Sequence, residues 1–119
     1  MAKLQRIKEK LLPKKLRVGI CDYTIMEVPD LKDEKGNELY GRHSQNRLTI
    51  EIGSLNPTPY ITLDTLIHEI LHSIYNQYAL REKGEPEERV VSVIATGMVS
   101  VLRDNPELVK YIMEVCKSK

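Results

Sequence analysis

The chain of 119 residues has no tryptophan and no phenylalanine, and its six tyrosines are its only large aromatic side chains. Its core must therefore be aliphatic, with tyrosines wherever a polar tip finds a partner. Only two cysteines are present, Cys21 and Cys116, far apart in sequence. Neither has Cys or His neighbours at zinc-site spacing. That excludes a disulfide scaffold and fits thiols kept reduced in a cytoplasm. No apolar run approaches the ~18–20 residues of a membrane span. The charged opening, Met1 to Arg6, does not read as a secretory signal. The expectation is a cytoplasmic protein with no membrane partner.

Charge of one sign is also missing, for the formal net charge is only +1. A chain so balanced is not built as a whole to bind a polyelectrolyte. The balance is uneven along the chain. Residues 1–17 carry seven basic side chains against Glu9, and the remainder carries 11 basic and 16 acidic. This arm, with Leu4, Ile7 and Leu11, is where a nucleic acid or an acidic partner would touch. It lacks aromatic interleaving and any nucleic-acid motif, so a solvated first helix over residues 3–10 is the expected reading. The length suits one domain, residues 1–119, which at this size buries a core without disulfides.

What the chain does have is His68-Glu69-Ile70-Leu71-His72. Two of its three histidines sit in this H-E-x-x-H run. Leu63, Leu66, Ile67, Ile70, Leu71 and Ile74 recur around it at helical spacing, which predicts a helix from about Thr62 to Leu80 with Thr62 or Asp64 as cap. Side chains four apart on a helix share a face, so both imidazoles can address one metal ion. Zn²⁺ suits imidazole ligands at ~2.0–2.1 Å. Glu69 is placed off that shared face, where it can take a proton from water that the metal activates. Asp64, four residues before His68, is a candidate to orient its ring.

The other elements read as follows. Residues 15–28 form one strand, with Leu16, Val18 and Ile20 alternating and Tyr23 to Val28 rich in strand formers. Residues 30–45 are a polar loop with a hairpin turn around Lys35-Gly36-Asn37. Leu48, Ile50 and Ile52 alternate in a half-buried strand. Gly84 stops the motif helix, and Pro86, Glu87 and Glu88 open the next. That helix is periodic to about Arg103. Asn105 caps a last helix through about Cys116.

A catalytic zinc site uses three protein ligands and leaves one position for water. Gly and His at the third and sixth positions after the second histidine would mark a metzincin; Tyr75 and Tyr78 stand there instead. His43 is the only other histidine. Glu87 and Glu88 open the next helix, and a short turn would return them to the metal. Helical phase favours Glu88, which continues the stripe Val91, Ala95, Met98, Leu102. Glu87 is the alternative, then His43.

His68-Glu69-Ile70-Leu71-His72 followed by Glu88, Val91, Ile94 and Ala95 resembles the minimal gluzincins, the ImmA/IrrE-like and SprT-like metallopeptidases and the small phage and prophage zincin-like proteins. The likeness runs from about Leu48 to Leu102. The chain departs from the ImmA pattern with Val91 where Ala is usual. The resemblance implies a small α+β zincin-like domain: a twisted antiparallel sheet packed against the active-site helix and a following third-ligand helix. It implies that the edge strand, Thr49 to Ile52, lies along the cleft. It implies zinc on His68, His72 and Glu88, Glu69 as general base, and hydrolysis of a protein or peptide substrate. Tyr75, Tyr78, His43 and Arg42 are candidates to stabilise the oxyanion. The alternative is a catalytically silent zinc-binding module that regulates or binds within a phage or mobile element.

Overall fold

The computed structural model describes residues 12–78 and 87–117, the side chain of Glu88 apart. The basic arm and the turn around Gly84 and Pro86 lie outside these residues. In order along the chain come β1 (Lys15–Val18), β2 (Cys21–Val28), β3 (Gly41–Ser44), β4 (Thr49–Gly53), α1 (Pro59–Gln77), α2 (Glu87–Asp104) and α3 (Pro106–Lys117). The strands make one four-stranded sheet in the order β1-β2-β4-β3. The domain is thus α+β, and among the described residues the helices follow the strands.

The sheet is mixed, not antiparallel. β2 and β4 run parallel, in register from Thr24 opposite Thr49 to Val28 opposite Gly53. β1 and β3 are the antiparallel outer strands. The physical reason is that β4 is paired on both sides: Thr24 N donates to Leu48 O beside β2, and Gly53 N donates to Tyr40 O beside β3. Thr49 to Ile52 is therefore an inner strand. The edge that the resemblance assigned to it belongs to β3.

The expected single strand over 15–28 is a hairpin. Val18 pairs with Cys21, so Gly19 and Ile20 form a two-residue loop. Gly19 takes φ +59°, which such tight loops require at their first position. Ile20 is 86% exposed, so it continues the apolar alternation without joining the core. The predicted turn at Lys35-Gly36-Asn37 is present, closed by a bridge between Lys32 and Glu38. Asp33 Oδ1 accepts from the N–H groups of Lys35 and Asn37, both at 2.9 Å.

α1 begins three residues before the expected start. Thr58 is its N-cap, its side chain accepting from Ile61 N at 3.2 Å, and Pro59 occupies the first turn, where its missing N–H costs nothing. The helix buries Thr62, Thr65, Leu66, Glu69, Ile70, Ser73 and Ile74. Leu66, Ile70 and Ile74 join Leu16, Val18, Tyr23, Ile25, Ile50 and Ile52 in the core. α2 turns a different face inward from the one expected. Gly97 and Val101 are buried, Val90 and Ile94 are half-buried, and of the expected stripe Val91, Ala95 and Leu102 are exposed while Met98 is half-buried against the core. The contact with α1 is made at Gly97, where an added Cβ would stand 2.9 Å from Ile74 Cγ2.

Asn105 does more than start α3. Its backbone carbonyl accepts from Leu108 and Val109 N–H. Its side chain turns to the outer edge of β1: Oδ1 accepts from Arg17 N at 2.8 Å, and Nδ2 donates to Arg17 O and Val101 O, both at 2.7 Å. One amide thus satisfies both outward groups of Arg17. Asn105→Ala is expected to destabilise the fold by about 2–3 kcal/mol, because it strands partly buried backbone groups. Urea unfolding should show a lower midpoint with an unchanged slope.

Candidate metal centre

His68 and His72 lie on the exposed flank of α1, beside the face that carries Glu69 into the protein. Their Nε2 atoms are 3.1 Å apart, and the rings meet edge-on with centroids 4.7 Å apart. Two nitrogens each ~2.05 Å from one tetrahedral ion would lie roughly 3.3 Å apart. The observed separation is close to that spacing. The four-residue spacing on a straight helix is what brings the two nitrogens together.

Glu69 faces the sheet and is 6% exposed. Burial pushes its carboxyl above the ordinary carboxylate range, and the charges of His68 and His72 pull against that shift. Gly41 on β3 lies beside it. A Cβ there would stand 2.5 Å from Thr65 Cγ2 and 3.3 Å from Glu69 Oε2. Only glycine lets the edge strand come this close to the motif helix. Glu69 belongs to a polar line along α1, Thr65-Glu69-Ser73-Gln77, spaced by four and turned towards the sheet. Gln77 closes that line by donating to Val18 O at 2.7 Å and to Ser73 Oγ at 3.2 Å.

His43 is drawn to the same place from the sheet. It pairs with Ile50, and Gly41 pairs with Ile52. Directly paired residues project to one face, so His43 shares the helix-covered face with these buried isoleucines. Its ring stacks on that of His72 at 6.5 Å, with planes 15° apart. Its Nε2 lies 3.2 Å from the Tyr23 hydroxyl, and the Tyr23 O–H donates to Gln45 Oε1. Burial, first, and the charge of His72 push the His43 pKa down, while a hydrogen bond with Gln45 opposes them. Burial also raises the Tyr23 pKa, against hydrogen bonds with Ser73, Gln77 and Gln45.

The remaining sequence candidates separate cleanly. Arg42 pairs with Glu51 across β3 and β4, its Nε and Nη2 both 2.8 Å from Glu51 Oε1. That pair is on the sheet face opposite His43, away from the histidine pair. Asp64 is exposed and makes no hydrogen bond to His68 among the described residues. Tyr75 and Tyr78 are 37% and 42% exposed. Glu87 is exposed at the start of α2. Glu88 shares that first helical turn, and its side chain lies outside the described residues. The turn docks on the end of α1, where Arg89 Nη2 donates to Tyr78 O at 3.4 Å. Among the described residues no group of three or more His, Cys, Asp or Glu is arranged to hold a metal, so His43 stands beside the pair without completing a three-ligand set.

The sequence reading passed over Gly41, Tyr23 and Gln45. The polar line of α1 was the available signal: Thr65, Glu69, Ser73 and Gln77 on a core-facing stripe require polar or small partners opposite. No family model, no curated protein and no solved structure matches the chain. The geometry of these side chains therefore carries the functional reading.

Proposed function

We propose that the chain is a zinc-dependent metallopeptidase, a minimal gluzincin in its working parts, with His68, His72 and Glu88 holding Zn²⁺ and Glu69 as general base. The observation that carries this reading is the convergence of the two Nε2 atoms at 3.1 Å beside a buried carboxylate. Bound there, zinc would polarise a scissile carbonyl and lower the pKa of water towards ~7. Glu69, held off the imidazole pair by its place on the sheet-facing stripe, accepts the water proton and hands it to the leaving nitrogen. Its burial excludes bulk water and strengthens its hold on a proton.

Strand β3 supports a peptide as the substrate. It is terminal in the sheet, and Tyr40 O accepts from Gly53 N at 2.7 Å. The alternation that this bond sets points the N–H and C=O groups of Gly41 and His43 away from β4. An extended peptide can add to that open edge through main-chain bonds, which select little sequence. No described helix is long and apolar enough to cross a membrane. The same reading places the protein in the cytoplasm, where free Cys21 and Cys116 stay reduced.

Purified protein without an affinity tag should carry one zinc per chain by elemental analysis, and it should hydrolyse unfolded casein. A folded protein that lacks zinc and ignores added zinc would sink the proposal.

A further inference from the structure

We infer that His43 is a substrate-binding residue of this cleft, accepting a hydrogen bond from a peptide N–H at Nδ1, and that Tyr23 is the residue that positions its ring. The inference rests on the metallopeptidase reading and adds to it a contact on the strand side of the site. The starting point is the direction of a buried hydrogen-bond chain. Gln45 Nε2 donates to Cys21 Sγ at 3.6 Å, which leaves Gln45 Oε1 to face Tyr23. The single proton of the Tyr23 hydroxyl goes to that oxygen. The Tyr23 oxygen must then accept from His43, so the imidazole carries its proton on Nε2 and keeps its lone pair on Nδ1.

Nδ1 has no hydrogen-bond partner among the described residues. A histidine that served only to pack would not need one nitrogen anchored to a fully buried tyrosine while the other stays open. Tyr23 is 1% exposed, and its ring also supports the imidazole directly, with centroids 5.5 Å apart. The ring is thus held from behind, stacked on His72, on the strand whose backbone is open to an added peptide. An acceptor on this face can take a peptide N–H that the main chain of β3 does not pair.

The Glu69→Gln protein, which should hold substrate without cleaving it, separates binding from turnover. In that background His43→Phe should weaken the binding of unfolded casein by about 3–10-fold, the worth of one neutral hydrogen bond, and leave zinc content unchanged. Tyr23→Phe should weaken it less. The double variant should be no weaker than His43→Phe alone, because Tyr23 acts through His43. His43→Asn, whose Oδ1 can stand where Nδ1 stood, should recover part of the loss. In the cleaving protein the same variants should raise KM more than they lower kcat. Unchanged casein binding and KM in His43→Phe overturn the inference, as do independent effects of Tyr23→Phe and His43→Phe, or loss of zinc in His43→Phe. A wild-type protein that binds neither zinc nor casein overturns the metallopeptidase reading and this inference with it. Zinc and casein binding that ignore His43 overturn this inference alone.

Discussion

Replacing Glu69 by Gln is expected to leave zinc bound, leave the fold intact and cut the turnover of unfolded casein at least ~10²-fold, the usual scale for a positioned acid–base group. The structure says why those effects should separate. Glu69 lies on the buried stripe of α1, while the Nε2 atoms of His68 and His72 converge without it. Gln has the same size, so it can keep the place Glu69 holds beside Gly41. Only the proton acceptor is lost. The sign of the stability change follows from the raised Glu69 pKa. An acid whose folded pKa exceeds its unfolded value opposes folding while ionised. In zinc-free protein, Glu69→Gln should therefore be at least as stable as wild type near pH 7. The gap should close as pH falls through the folded pKa to below the unfolded value of ~4.3. Loss of zinc in Glu69→Gln would make Glu69 a ligand. Full activity with zinc retained would show that Glu69 is not the general base.

The second large effect concerns the third ligand. Glu88→Ala should weaken zinc binding by one to several orders of magnitude, more than the ~10–100-fold cost of changing a residue behind the ligands. Glu87→Ala should leave affinity nearly intact. Competition with a chelator of known affinity reads both. The comparison is needed because the inward seam of α2 is Val90, Ile94, Gly97 and Val101. That seam extends by helical spacing to Glu87, not to Glu88, so phase no longer favours Glu88. What supports Glu88 is the resemblance carried by Glu88, Val91, Ile94 and Ala95. A larger loss in Glu87→Ala would transfer the role to Glu87.

Features written in local periodicity could be read from the sequence. The motif helix shows itself through Leu66, Ile70 and Ile74, and β4 through Ile50 and Ile52. Features that depend on a distant partner could not. β3 has no apolar alternation, because its two inward positions are Gly41, which must be small against Thr65, and His43, which must be polar beside His72. The hairpin at Gly19 was masked by Ile20, which fits the strand pattern yet points to solvent. The α2 seam was displaced by one residue because its contact point is a glycine, which a search for apolar side chains overlooks. The parallel pairing of β2 with β4 has no local signature at all. In the site, the paired histidines and Glu69 were legible because their geometry is internal to one helix. Tyr23 and Gln45 were not, since only the folded sheet brings them behind His43.

The Asn105 side chain blocks strand addition at Arg17 of β1. Its amide occupies the outward groups of Arg17 on β1, so a further strand has its open place at β3. A sheet able to pair at both edges can string copies into an open-ended ladder, whereas one edge supports at most a two-membered pair. Here that one edge runs beside His43 and the motif helix. Any copy that paired there would cover the cleft, so self-association through the sheet and blockade of the site would be a single event.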